Sequence, residues 1–315
     1  MSGGEQPGGA VMASTAAAIG SAARRGTARF SLGPVLVIPA TLLVLLFLAA
    51  PMALLFRYSF NRYSPRDFMI EALTAENYLR FFTDPYFLGV LATTVQVAAL
   101  CTLIAVLAAF PVAYLLARTE SRFKSALVIA VVFPLMVGNV VRAAGWMALL
   151  GNTGAVNATL LRLGLVTEPV RLMFTPFAVI LGIVAVVLPY MILTLQSVLE
   201  SIGRDVEEAA ANLGAGPLTV FTRVLLPLSL PGIIAGGTLV FILCMNAYAT
   251  PVLLGGPQFK MMAPALYDQF ARTTNWPFGA ALAFILMTAT LVLTLVGTTL
   301  LARRMHQRKL ESAAR

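Results

Sequence analysis

Few side chains in this 315-residue sequence have the types and spacing that catalysis requires. The single histidine, His306, lies in a basic C-terminal stretch, and Cys101 and Cys244 lie in separate apolar runs. No G-x-x-x-x-G-K-[ST] loop occurs, so the chain does not bind ATP through that element. The sequence therefore predicts a protein that is not an enzyme and holds no metal or cofactor. Any energy that it uses would come from another protein.

A second group of chemically capable residues is polar and lies within long apolar runs. Asn139 and Arg142 occur in VGNVVRAAGW, and Asn246, Tyr248 and Thr250 occur in CMNAYATP. Polar groups inside a membrane are costly and usually face a cavity or one another. Both clusters lie roughly 24 Å along their helices, so they are candidates for the lining of a translocation path. Alternatively, Arg142 could reach headgroups at the membrane surface and Asn246 could bond a neighbouring helix.

If such a path carries a cation, Asp268 is the candidate for contact with it. It lies in the loop after the fifth apolar run, next to Tyr267. Cations favour carboxylates and aromatic faces, and Tyr248 would add a second aromatic face. A solvated loop carboxylate is the alternative interpretation of Asp268. Arg142 favours the opposite conclusion, namely an anionic substrate or no contact with substrate at all.

One polar segment, Glu200 to Ser229, interrupts the apolar sequence. Its first part has an apolar helical face at three- and four-residue spacing, formed by Ile202, Val206, Ala209 and Leu213. Gly214 can adopt the left-handed conformation that ends a helix, and Pro217 suits the first turn of the next one. The pattern predicts a helix, a sharp turn and a second short helix from about Pro217 to Leu225, which ends before Pro227.

This segment resembles the EAA loop of ABC-importer permeases. It reads Glu208-Ala209-Ala210, three residues, Gly214, nine residues, then Val224-Leu225-Leu226-Pro227. The family has isoleucine where this chain has Val224. In that family the loop is the cytoplasmic element that docks into a groove on the ATP-hydrolysing subunit. The resemblance therefore implies that the residues coupled to the ATPase are Glu208, Ala209, Ala210, Gly214, Pro217, Leu226 and Pro227. A connector lying on the membrane surface is the alternative.

The resemblance extends over most of the chain and is strongest to spermidine/putrescine-type permeases. It rests on NAYATPVLLGGPQFKMMAPALYDQF at 246–270 and NWPFGAALAFILM at 275–287. It implies an all-α integral membrane protein with six transmembrane helices and the type I ABC importer permease fold. The implied partners are ABC ATPase subunits, a second permease subunit and an extracytoplasmic substrate-binding protein. Polyamines are the implied substrate, and another small solute, amino-acid-like or phosphonate-like, remains open.

Composition independently indicates an integral membrane protein. The chain is 59% hydrophobic and 11% charged, whereas a soluble domain carries about twice that charged fraction. Six apolar runs can cross roughly 30 Å of hydrocarbon as helices. They are Pro34–Phe56, Leu88–Ala117, Ala126–Leu150, Phe174–Leu199, Leu230–Leu254 and Ala280–Leu301. We expect a disordered tail at 1–30, a transmembrane domain at 31–302 that contains the coupling loop 200–228, and a basic tail at 303–315.

The placement of lysine and arginine predicts the orientation. The net charge of +9 does not indicate nucleic acid, because the basic residues lie in tails and short loops. The larger basic set includes both tails and the EAA-like segment, which places both termini and that segment in the cytoplasm of a bacterial inner-membrane protein. A stand-alone secondary transporter is the alternative function. It would need coupling carboxylates or unwound helix pairs in the membrane, and the sequence shows neither.

Overall fold

The computed structural model describes residues 32–313, with side chains described at 37–39 and 41–303. Residues 1–31 and 314–315, which include the predicted N-terminal tail, lie outside the described residues, as does the side chain of His306. The all-α prediction is confirmed for this part of the chain. The helices are α1 Leu32–Tyr58, α2 Glu76–Thr83, α3 Pro85–Arg118, α4 Lys124–Met136, α5 Asn139–Leu150, α6 Ala155–Arg162, α7 Pro176–Ser201, α8 Arg204–Asn212, α9 Pro217–Met245, α10 Ala249–Gly255, α11 Met262–Ala271 and α12 Trp276–Ala313.

Five of the described helices, α1, α3, α7, α9 and α12, are long and apolar enough to cross a membrane. Helix α4 and the helical stretch Asn139–Arg162, which begins with α5, form a bent pair. If this pair is counted as one span, the number of spans is six, which agrees with the six apolar runs. The chain divides into two compact units between Leu54 and Leu55. The first unit holds most of α1, an apolar helix that contains Pro39 and Pro51. The features described below all belong to the second unit.

The third apolar run, expected as one span, is broken. Helix α4 ends at Met136, and the chain turns by 97° before it continues in α5. Val137 is extended at φ −85° and ψ 126°, and Gly138 at φ −57° and ψ 144°. Pro134 removes a backbone donor from the last turn of α4, and glycine leaves a helix at low cost. Average hydropathy does not register a break of two residues.

The fifth run differs from its prediction at both ends. The predicted short helix does not stop before Pro227, because α9 is continuous from Pro217 to Met245. It passes through a π-helical turn at Phe221–Leu225, and Pro227 falls in the first turn of the α-helical stretch that follows. Proline has no backbone N–H to donate, and in the first turn of a helical stretch after a π-helical turn that missing hydrogen bond costs little. At the other end, residues 246–248 separate α9 from α10.

The core of the second unit is formed by α3, α7 and α9, which pack against one another. Helix α3 presents small side chains at three- and four-residue spacing, all fully buried: Ala98, Cys101, Ala105 and Ala109. Small residues let helix backbones approach closely. Gly236 of α9 has the same role, because a Cβ atom there would lie 2.8 Å from the sulfur of Met191 on α7.

The long loops between the spans contain the short helices α2, α6 and α11. Buried amides fix two of these loops. Asn77 donates to the carbonyls of Ser59 and Asn61 at 2.8 and 2.9 Å. Asn157 donates to the carbonyl of Val170 at 3.0 Å and accepts from its backbone N–H at 2.9 Å. These loops are therefore folded parts of the domain.

Candidate functional site

A cavity of ≈ 600 Å³ lies between α7 and the two broken spans. Its lining includes five of the six residues predicted for the translocation path, and these five come from two distant apolar runs: Asn139, Arg142, Asn246, Tyr248 and Thr250. Apolar side chains of α7, among them Ile183 and Val187, form the facing wall. The structure thus brings the two polar clusters together, while their role in transport stays a prediction.

Each polar cluster lies where its span breaks. Asn139 is the first residue of α5, and residues 246–248 connect α9 to α10. A break leaves backbone groups without helical partners, and such backbone is tolerated at membrane depth only in protein or beside a water-filled cavity. These breaks are unwound elements within the spans, which the sequence pattern does not reveal. Tyr190 of α7 also lines the cavity and was missed, because one tyrosine in an apolar run forms no cluster.

The guanidinium of Arg142 bonds the break of the third span. Its Nη2 atom donates to the carbonyl oxygens of Pro134 and Val137, each at 2.7 Å. These oxygens lie at the C-terminal end of α4, where acceptors lack helical donors and partial negative charge accumulates. The Nε and Nη1 atoms are buried and have no partner among the described residues. Arg142 therefore caps α4 and carries the only formal charge among the described cavity-lining residues.

Asp268, the sixth candidate, is not among the residues that line this cavity. Its carboxylate lies 3.7 Å from Lys260 Nζ and 3.2 Å from Arg272 Nε, so cations of its own loop already compensate its charge. The neighbouring Tyr267 ring packs on Tyr248 with 4.9 Å between ring centroids. Within the described residues, no group of three or more His, Cys, Asp or Glu side chains could hold a metal.

A second feature is the segment that resembles an EAA loop. Helix α8 ends at Asn212, and Gly214 has φ +85°, as the sequence analysis expected for the turn. Pro217 is the first residue of α9. Glu208 and Ala209 are exposed, and Leu213 and Leu218 on either side of the turn are 89% and 76% exposed. Large apolar side chains presented in this way beside a polar helix are typical of a contact surface.

The largely buried glutamate of this segment is Glu207, although the EAA pattern draws attention to Glu208. The Glu207 carboxylate is paired with the guanidinium of Arg118, and the two side chains are 16% and 14% exposed. It also accepts a hydrogen bond of 2.9 Å from the hydroxyl of Tyr114. Arg118 Nη1 donates to the carbonyl of Leu199 at 3.0 Å. The end of α3 is thereby joined to α8 and to the end of α7. A lone arginine at the end of a long apolar run requires such a partner. Arg118 was therefore the signal in the sequence from which this ion pair could have been predicted.

Two further ion pairs connect the same elements. Arg204 at the start of α8 lies 2.8 Å from Glu120, and Lys124 at the start of α4 lies 2.8 Å from Glu200. Arg204 also donates to the carbonyl of Arg118. We call the three ion pairs Arg118–Glu207, Arg204–Glu120 and Lys124–Glu200 the clasp. The clasp ties the end of α3 and the loop after it to α8, and the start of α4 to the end of α7.

Close packing of α7 against α10 supports the cavity and can be tested through Gly182. A Cβ atom at Gly182 would lie 2.6 Å from side-chain carbons of both Thr250 and Leu254. Gly182→Val should therefore displace α10 and destabilise the protein by about 1–3 kcal/mol, measured as a lowered Tm of the purified protein. Gly297→Val is the control, because nothing lies within 4 Å of its Cβ position. Equal Tm values for both variants would contradict this packing.

Known proteins resemble this chain in sequence and in fold. Residues 109–307 match the family described as "Binding-protein-dependent transport system inner membrane component". The spermidine/putrescine transport system permease protein PotB of Escherichia coli (strain K12) is 33% identical over 243 residues, 77% of this chain and 88% of that protein. PotB of Haemophilus influenzae is 32% identical over 268 residues, 85% and 93% of the two chains.

A solved structure has the same fold at much lower sequence identity. It is a bacterial alginate ABC transporter in complex with an alginate pentasaccharide-bound periplasmic protein. One of its chains superimposes with a TM-score of 0.73 at 18% identity, and the match covers 87% of this chain and 94% of that one. At this identity the likeness concerns the arrangement of helices alone.

Proposed function

This chain belongs to the family of binding-protein-dependent transport system inner-membrane components, and from this premise we propose that it forms the translocation path of an importer of polyamines such as spermidine and putrescine. It is an ABC importer permease and a multi-pass inner-membrane protein. The observation that carries the polyamine proposal is the similarity to two spermidine/putrescine permease proteins over 77% and 85% of the chain.

The path in this proposal is the cavity between the two broken spans. A cationic cargo would meet the tyrosine rings of Tyr190 and Tyr248, whose faces attract ammonium groups. It would also meet the carbonyl end of α9, because half-helix C-termini carry partial negative charge, whereas the carbonyl end of α4 is occupied by Arg142. The cavity has polar groups where the spans break and apolar walls elsewhere. This arrangement supports passage of a flexible amine with an aliphatic backbone. Contact between cargo and Asp268 is no part of the proposal, because that carboxylate is compensated in its own loop.

ATP hydrolysis in this proposal takes place on separate ABC ATPase subunits that receive the turn between α8 and α9. Leu213 and Leu218 would enter their surface, flanked by Glu208 and Gly214. A second permease subunit completes the path, and an extracytoplasmic binding protein delivers the cargo. The chain itself catalyses no reaction. Both termini and the turn between α8 and α9 then lie in the cytoplasm.

The test is uptake by the complete transporter in cells that lack their own polyamine importers. Labelled spermidine should accumulate only when the ATPase subunit and the binding protein are both present. Excess unlabelled putrescine should compete with it, and excess amino acid or phosphonate should not. A transporter with an ATPase subunit that cannot hydrolyse ATP is the control. Uptake of a labelled amino acid or phosphonate instead of spermidine would reject the polyamine cargo.

A further inference from the structure

We propose that α4 is a movable arm that carries displacement of residues 200–207 to the cavity, and that Arg142 is the positioning residue that latches its far end. This inference deepens the transport function proposed above and rests on it in treating the cavity as the path. In this proposal α4, the first half of the broken third span, transmits the movement of the ATPases to the cavity and so opens it.

The near end of the arm is tied to the end of α7, directly before the element that the ATPases would move. Lys124, the first residue of α4, lies 2.8 Å from Glu200, and Gln196 donates to the same Glu200 oxygen at 3.1 Å. The other two ion pairs of the clasp hold the loop that leads into α4. Residues 200–207 and the base of α4 should therefore move together.

The body of the arm is stiff but weakly held. Its thirteen residues form a helix that is about 20 Å long. None of these residues is buried, and Ile129 and Phe133 are 64% and 65% exposed. An element with few buried apolar contacts is displaced at low cost. Helix α4, together with the ends of α3 and α7 to which it is tied, can thus move while the buried packing between α3, α7 and α9 is kept.

The far end of the arm meets the cavity at the break. Two carbonyls at the end of α4, those of Pro134 and Val137, share a single nitrogen of Arg142. Its other nitrogens, Nε and Nη1, are buried without a partner among the described residues. Unpaired buried donors are unfavourable, so the guanidinium is incompletely satisfied in this position and keeps free donors for other acceptors when α4 withdraws its carbonyls. Residues on both sides of the break, Leu135 and Asn139, line the cavity and would be displaced with it.

The first measurement compares Arg142→Gln with Arg142→Lys in the complete transporter in proteoliposomes. Arg142→Gln leaves the clasp and the turn unchanged and should lower spermidine uptake about tenfold or more. This is the change in rate that corresponds to the loss of one charge-assisted hydrogen bond. ATP hydrolysis stimulated by the spermidine-loaded binding protein should persist. Arg142→Lys keeps a cation that can bond both carbonyls and should restore most of the uptake. Normal uptake by Arg142→Gln, or equal defects in both variants, would overturn the proposal.

The second measurement does not depend on activity or on cargo. Spin labels at Ile129 of α4 and Val141 of α5 occupy exposed positions, and Cys101 and Cys244 are buried, so they do not compete for label. The distance between the labels should change by about 4 Å or more when ATP is trapped, because Ile129 lies about 12 Å along α4 from the break and a rotation of about 20° between α4 and α5 moves it by that distance. A control pair at Leu107 of α3 and Leu239 of α9 should not change.

An unchanged distance between positions 129 and 141 in the two nucleotide states would refute the arm. Failure of the transporter to import spermidine would reject the proposed cargo and leave this measurement valid. The two proposals therefore fail separately.

Discussion

Glu207→Gln is expected to abolish ATP-driven uptake and to destabilise the protein by about 1–3 kcal/mol, because it leaves the largely buried charge of Arg118 without its partner. Both side chains are less than one-fifth exposed, so water replaces the lost carboxylate only in part. Tyr114 also loses the negative charge at its hydrogen-bond acceptor. Helix α8 would no longer be joined to the end of α3, so movement of the ATPases would not reach the spans. Spermidine uptake by the complete transporter and the Tm of the purified protein measure the two effects.

A charge swap separates the ion pair from the individual side chains. Arg118→Glu combined with Glu207→Arg restores opposite charges and should recover part of the uptake that either single change removes. Glu76→Gln is the matched control, because its ion pair with Arg62 is 54% and 63% exposed. Exposed pairs contribute about 0–1 kcal/mol, so this variant should behave like the original protein. Full uptake by Glu207→Gln would show that the buried pair does not transmit movement.

Leu213→Asp is expected to prevent the ATPase subunit from binding. Leu213 is 89% exposed, so the change should not affect folding of this chain. At a docked interface, however, a leucine side chain contributes about 1.5–3 kcal/mol by burial, and a buried unpaired carboxylate is strongly unfavourable. We expect the affinity of the ATPase subunit to fall by about a hundredfold or more. Co-purification of the tagged ATPase subunit with the permease and titration of the purified components measure this loss.

Leu73→Asp is the control for this prediction. Leu73 is 83% exposed and lies in the loop between α1 and α2, which the proposed orientation places on the opposite side of the membrane. Its replacement should leave binding of the ATPase subunit unchanged. If both variants retain the ATPase subunit equally well, the turn between α8 and α9 is not the docking element.

The sequence by itself determined the class of protein, the apolar spans and the turn in the EAA-like segment. These depend on local properties: hydropathy averaged over about twenty residues, the conformational freedom of Gly214 and the fixed geometry of Pro217. The chemical types of the cavity residues were also visible, because a polar side chain within an apolar run stands out without any knowledge of its neighbours.

Only the tertiary structure decided which of these residues meet and which partners they take. The breaks at residues 137–138 and 246–248 are too short to alter average hydropathy, yet they bring two polar clusters, more than 100 positions apart in the chain, to one cavity. The pairing of Glu207 with Arg118, the capping of α4 by Arg142 and the compensation of Asp268 in its loop depend on how helices pack. A side chain's type is local, whereas its partner is chosen by contacts between distant parts of the chain, and these contacts exist only after folding.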